Sequence, residues 1–236
     1  YLDESIWPQE GCLLTNSSGA YGPSISEHII MVSLMLLRRM PEYQVSISQR
    51  QWASFNPIRS IIGSHVVILG TGDIGSNTAR RMKALGATVT GICRSGKSNE
   101  TSFDSVFSLN KIDEVLASAD LVVLALPATS ETVNILSKER IALLKKSAYV
   151  VNVGRGSAID QEALVEALMN KKIAGAALDV MVPEPLQPDN PLWSCPNTII
   201  TPHVSGDMSL ELTCKLDVDM FCKDLDHYAL GEPLEN

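Results

Sequence analysis

The sequence is short of several features that would assign it to a class outright. It has no basic excess: 19 Lys and Arg stand against 27 Asp and Glu, for a formal net charge of −8. A general nucleic-acid footprint needs a basic face, so that function is excluded; binding one small anion in a locally positive pocket is not. Long apolar runs are missing too. The longest, residues 29–37, is interrupted by Ser33 and followed by Arg38 and Arg39. A membrane span needs about 20 apolar residues, so this stretch reads as a core or interface helix. No secretory signal is visible. The five cysteines, Cys12, Cys93, Cys195, Cys214 and Cys222, form no CxxC or Cys/His ligand spacing. They read as thiols of a reducing compartment; no metal site is expected, and the expected location is cytoplasmic. Internal repeats and low-complexity tracts are also lacking. With 236 residues, 45% of them hydrophobic, the chain can bury a sizeable core in one or two domains.

What is present is a regular alternation that starts at His65. HVVILG reads as a first apolar strand, and residues 74–85 as a helix closed by Gly86. ATVTGIC, LVVLAL, YVVNVG, GAALDV and TIITP are the second to sixth strands. Helices are expected at 112–119, 138–144, 161–170 and 209–230. Strands that read as continuous apolar runs between helices indicate a parallel sheet covered on both faces. The right-handed crossover rule makes it a doubly wound α/β sheet of the Rossmann type. Upstream, residues 25–40 read as a helix capped by Ser24 or Ser26 and stopped by Pro41. It is apolar on most faces, which predicts burial at a domain or subunit interface. Residues 44–62 show no clear period, and the Pro-rich stretch 183–196 reads as a loop.

Gly70, Thr71, Gly72, Asp73, Ile74 and Gly75 spell GTGDIG, which follows a strand and opens a helix. In that context the glycines allow a tight turn, backbone approach to a pyrophosphate and close helix–strand packing, while the helix N-terminus offers N–H groups to the phosphates. A dinucleotide is therefore expected. An NAD site usually carries Asp or Glu about 20 residues on, bonded to the ribose 2′-hydroxyl. Here Arg94 lies 19 positions after Gly75, followed by Ser95 and Lys97, with no carboxylate among them. An Arg, a hydroxyl and a Lys suit a 2′-phosphate, so NADP(H) is preferred, with NAD(H) possible. The alternative is that Arg94 stacks on adenine and Lys97 is simply solvated.

Three further residues stand just past the ends of strands. Arg155 follows the fourth strand in VNVGRGSAID, Glu184 lies after the fifth in LDVMVPEPL, and His203 follows the sixth in TPHVSG. Ligands of open α/β sheets bind beyond the carboxyl ends of the strands, so these three can converge. Reduction of a 2-keto acid leaves an alkoxide that must be protonated, which a His does near neutral pH. A carboxylate beside it stabilises imidazolium, and a guanidinium grips the substrate carboxylate with two hydrogen bonds. Taken singly, each residue has a plain alternative: a surface ion pair for Arg155, a solvated loop for Glu184, a turn for His203. His28 and His65 read as structural and His227 as exposed.

With these motifs, joined by ALPATSET and NPLW, the sequence resembles the D-isomer-specific 2-hydroxyacid dehydrogenases over nearly all of its length from about Leu14. The resemblance implies Arg155 as the substrate-orienting cation, His203 as acid/base and Glu184 as its partner. It implies that Asp179 meets the nicotinamide carboxamide, and that Leu126, Pro127, Thr132, Val153, Gly154, His203 and Gly206 line the cofactor. It places residues 18–207 in a dinucleotide-binding domain, with 1–17 and 208–236 as remnants of a second, smaller catalytic lobe. Most of that lobe, with the loop that would hold the substrate carboxylate, is expected to be missing, since the chain begins at Tyr1. A homodimer paired through the 25–40 helix is expected. The implied reaction is NADP(H)-linked interconversion of a small 2-keto acid, such as glyoxylate or hydroxypyruvate, with its D-2-hydroxy acid. Competing readings are a cofactor-sensing, corepressor-like interaction protein, a formate dehydrogenase, and a cofactor-binding fragment without activity.

Overall fold

A computed structural model of the chain describes residues 13–235, so Cys12 and the expectations for residues 1–12 lie outside the described residues. Seven parallel strands form one sheet: β1 (His65–Leu69), β2 (Thr88–Ile92), β3 (Ser105–Phe107), β4 (Leu121–Leu124), β5 (Tyr149–Asn152), β6 (Gly175–Leu178) and β7 (Thr198–Ile200). Their spatial order is β3-β2-β1-β4-β5-β6-β7. The order reverses between β1 and β4, the place where doubly wound sheets open a ligand crevice. The expected Rossmann sheet is therefore present, with one strand more than the sequence predicted. β3 is a half-exposed edge strand of three residues, too short for a visible period.

The helices are α1 (Gly22–Leu37), α2 (Met40–Ser48), α3 (Asp73–Ala84), α4 (Ile112–Leu116), α5 (Lys138–Leu143), α6 (Gln161–Met169) and α7 (Glu211–Leu230). Side chains alternate across each strand, so one apolar run feeds two cores. On one face Val67, Leu69, Val122, Leu124 and Val150 pack with Ile112 and Leu116 of α4, Ile141 of α5, and Leu164 and Leu168 of α6. On the other, Val66, Ile68, Val89, Val123 and Val151 meet Ile25, Ile29, Val32 and Leu36 of α1 and Ala79 and Met82 of α3. The 25–40 segment is thus packed against α3 and its own sheet.

Two local expectations are corrected. Ser24 and Ser26 do not cap α1: Tyr21 is the N-cap, and both hydroxyls bond carbonyls three residues back. Pro41 does not stop a helix but starts one. Arg39 takes a left-handed conformation, breaking the chain between α1 and α2, and Pro41 lies in the first turn of α2, where no N–H is missed. His28 and His65 have the internal partners expected of structural groups. His65 Nε2 lies 2.9 Å from Thr90 Oγ1, and His28 Nε2 lies 3.4 Å from Thr201 Oγ1. His227 is half-buried rather than exposed, with Nδ1 2.9 Å from the Pro233 carbonyl, because the chain folds back after Gly231. α7 is joined to α1 by a buried bond from Thr213 Oγ1 to Ser24 Oγ at 2.9 Å.

Candidate active site

A cavity of about 830 Å³ opens over the carboxyl ends of the central strands. Of the residues expected at the cofactor, it is lined by Gly72, Asp73, Ile74, Leu126, Pro127, Val153, Gly154, His203 and Gly206, together with Arg155. Its volume falls within the range of small-molecule and cofactor sites.

The glycine loop builds the floor. A Cβ on Gly75 would collide with the Gly70 carbonyl oxygen, so α3 lies against β1 only because both positions are glycine. A Cβ on Gly72 would instead meet nothing within 4 Å. That open space faces the first turn of α3, whose N–H groups have no intrahelical partner. A pyrophosphate fits this cradle by contact with bare backbone. Asp73 lines the cavity and its carboxylate also has a structural use. Its Oδ2 accepts the Gly19 and Gly22 N–H groups at 3.0 and 2.8 Å, and its Oδ1 accepts Asn77 Nδ2 at 2.9 Å. The carboxylate ties the start of α1 to the start of α3.

Arg155 stands on the turn after β5, where its Nη1 donates to the Gly154 carbonyl at 2.7 Å. The buried Asn152, at the end of β5, sets that turn. It donates to the Arg155 carbonyl at 2.9 Å and accepts the Gly154 N–H at 3.1 Å. Sequence reasoning passed over Asn152; the signal was a lone amide in the apolar strand YVVN. Gly156 lets this turn abut the segment after β6, since a Cβ there would strike the Met181 backbone. The Met181 N–H donates to Glu184 Oε1 at 3.0 Å, and Glu184 Oε2 lies 2.7 Å from His203 Nδ1. An ionised carboxylate only accepts, so Nδ1 carries the proton and Nε2 is the nitrogen left for chemistry. The guanidinium-bearing turn and the imidazole–carboxylate couple are thereby brought to one crevice.

His203 itself adopts φ 57°, a left-handed conformation costly for a non-glycine residue. Asp179 holds it there. Only 1% exposed, Asp179 accepts Thr201 Oγ1 at 2.6 Å and the Val204 and Ser205 N–H groups at 2.9 Å each, and its own carbonyl accepts the His203 N–H at 2.9 Å. Burial raises its pKa, but the bonds from Ser205, Thr201 and Val204 outweigh this and leave the carboxyl below its usual range. Asp179 thus lies behind the cavity wall, engaged with local backbone rather than turned to the cavity.

Other expected cofactor residues stand apart from the cavity. Thr132 is buried and braces the 127–132 loop through a bond to the Pro127 carbonyl at 2.7 Å. Thr71 accepts Ser76 Oγ on its carbonyl at 3.1 Å. Arg94, Ser95 and Lys97 are exposed just past β2, where Ser95 Oγ donates to the Lys97 carbonyl at 3.1 Å. Ser17, Ser18, Tyr21, Ile25, Ala125, Ala128 and Ser205 also line the cavity and were not foreseen; the first four reach it because folding carries the start of α1 to this edge, and the others flank expected residues in the loops after β4 and β7.

Comparison with known proteins agrees with this geometry. The chain is 32% identical over 238 residues to a D-3-phosphoglycerate dehydrogenase of Archaeoglobus fulgidus, covering 100% of this chain and 44% of that protein. It therefore spans less than half the length of this curated relative. A crystal structure of a D-isomer specific 2-hydroxyacid dehydrogenase family protein from Aeromonas salmonicida superposes with a TM-score of 0.85 at 38% identity, covering 98% of this chain and 73% of that one. An NADPH-dependent glyoxylate/hydroxypyruvate reductase of Sinorhizobium meliloti, solved with NADP and sulfate, gives 0.81 at 26% identity over 94% and 69%. The sequence model of the D-isomer specific 2-hydroxyacid dehydrogenase NAD-binding domain matches residues 30–205. A bare-backbone phosphate cradle at the sheet's switch point and that match lead to one conclusion: the chain belongs to the D-isomer specific 2-hydroxyacid dehydrogenase family, whose members are NAD(P)-dependent oxidoreductases.

Proposed function

We propose that the protein containing this chain is an NADP(H)-preferring reductase of a small 2-keto acid, of the glyoxylate or hydroxypyruvate type, forming the D-2-hydroxy acid. The observation that carries the reading is the meeting of Arg155 and the Glu184–His203 couple at the mouth of a glycine-floored crevice. When bound, the nicotinamide cofactor supplies the hydride to the keto carbon. Arg155 grips the substrate carboxylate with two hydrogen bonds and polarises the adjacent carbonyl. His203, protonated at both nitrogens, gives its Nε2 proton to the forming alkoxide and takes it back in the oxidative direction. Glu184 keeps Nδ1–H oriented and stabilises the imidazolium. Asp179 acts through the turn it holds.

The preference for NADP(H) is supported by Arg94, Ser95 and Lys97 beside the end of β2 and by the NADP held by the Sinorhizobium reductase. NAD(H) with a phosphoglycerate-type substrate is the second reading, favoured by the Archaeoglobus relative. Residues 18–207 form the cofactor domain in this proposal, with residues 13–17 and 208–235 belonging to a second lobe. The assembly proposed is a homodimer, and the setting is the cytoplasm. Among the described residues no helix is long and apolar enough to cross a membrane.

The test is oxidation of NADPH and NADH by the full-length protein against glyoxylate, hydroxypyruvate, pyruvate and bulkier keto acids. His203→Ala is expected to lower turnover by about 10²–10⁴ while dinucleotide binding is retained; full activity in that variant refutes the assigned role. Arg94→Asp is expected to weaken NADPH binding selectively, and an unaltered affinity removes the NADP preference. Cofactor binding with no turnover on any acid favours a cofactor-sensing or inactive protein instead.

A further inference from the structure

At the end of the sheet away from the crevice, a second cavity of about 550 Å³ lies between the α1–α2 junction and the loops that lead into β5, β6 and β7. Four cationic side chains line it: Arg39, Arg59, Lys146 and Lys171. Glu42 is the one carboxylate among the described lining residues, and it is held by Arg39, whose Nε donates to Oε2 at 2.6 Å. Asp120 feels Arg59 from nearby, but it is already bonded by Lys145 Nζ at 2.8 Å and the His65 N–H at 2.9 Å. On a chain of net charge −8, such a concentration of positive charge lacks an internal counter-ion of matching size.

One further observation points to a ligand. Tyr149 is only 4% exposed and lines this cavity, yet its hydroxyl bonds no described residue; the charged groups it feels are Arg59, Arg39 and Glu42. The ring is buried while the hydroxyl opens to the cavity, where it is a donor with no partner among the described residues. Burial raises the phenol pKa, against the opposing pull of Arg59 and Arg39, so the group is a protonated donor at neutral pH.

We propose that this cavity binds a small organic phosphate monoester, with Arg59, Lys146 and Lys171 supplying charge and the Tyr149 hydroxyl a neutral hydrogen bond. A phosphate monoester carries close to two charges and three acceptor oxygens, which matches several separated cations and one O–H donor open to the cavity. The cavity has room for the organic part. The site is separate from the dinucleotide crevice and does not depend on the proposed reaction.

The test is amide chemical-shift mapping of the protein titrated with glycerol phosphate, against malate and chloride at equal ionic strength. Saturable shifts are expected at residues 146–149, 171–174 and 197, whatever occurs at the glycine loop, residues 70–75. Tyr149→Phe removes only an unbonded hydroxyl, so the protein should melt unchanged without ligand and bind about tenfold more weakly. Arg59→Gln should abolish saturation at these amides while leaving shifts at 70–75 in place. Shifts confined to 70–75, a linear non-saturating response, or equal affinity in both variants would overturn the site. Tighter binding of malate would overturn the phosphate assignment. Protection of these amides that follows protein concentration alone would make the cavity a subunit contact, and the proposal would fail.

Discussion

His203 and Asp179 show how much one buried carboxylate can organise. The turn over residues 201–205 gains three hydrogen bonds to Asp179, which together offset the left-handed backbone at His203. The folded pKa of Asp179 lies below its unfolded value. Its contribution is therefore fully present above the unfolded carboxylate range and is lost as pH falls through the folded pKa. Asp179→Asn presents a donor opposite a backbone N–H and should destabilise the protein by about 1–3 kcal/mol at pH 7. The melting-temperature gap between wild type and variant should then begin to narrow below about pH 4, where the unfolded-state carboxyl takes up its proton, and close further as pH falls toward the lower folded pKa. A gap that stays constant from pH 7 to pH 3 would contradict this account. At this scale the close packing at Gly75 and the pairing of Glu184 with His203 were legible in residue types and spacing. The use of Asp73 and Asp179 was not, because a carboxylate's partners come from distant backbone that spacing does not reveal.

Among the elements, the start of α3 separates folding from binding within a single motif. Gly75→Ala places a methyl against the Gly70 carbonyl and should cost several kcal/mol or prevent folding. Gly72→Ala enters open space and should alter stability by no more than about 0.5 kcal/mol. It fills the cradle, however, and should weaken dinucleotide binding sharply. Thermal denaturation paired with a cofactor titration checks both, and a Gly72→Ala protein with wild-type affinity would show that the cradle does not touch the phosphates. Six of the seven strands and six of the seven helices were legible because their apolar period is set by burial on the two sheet faces. α2 was not, since Pro41 reads as a stop signal unless the left-handed Arg39 before it is known. Nor was β3, which is held by pairing with β2 rather than by its own pattern.

For the whole molecule, the surface left apolar carries the next expectation. α1 exposes Met31 and Leu34, α2 exposes Val45 and Ile47, and Trp52 is exposed just beyond them. Exposed apolar side chains on these consecutive segments are the expected interaction face, and light scattering at micromolar concentration should return twice the chain mass. A monomer, or a dimer untouched by Met31→Lys with Leu34→Lys, would move the contact elsewhere. By itself the sequence determined the parallel covered sheet, the glycine loop and the set of reactive residue types, because these are written in local period and spacing. Only the tertiary structure decided which carboxylates reach the crevice, which are spent on backbone, and that four cations and a buried phenol gather at the far edge of the sheet. Those outcomes depend on which loops a sheet brings side by side, and the order of strands in space is not their order along the chain.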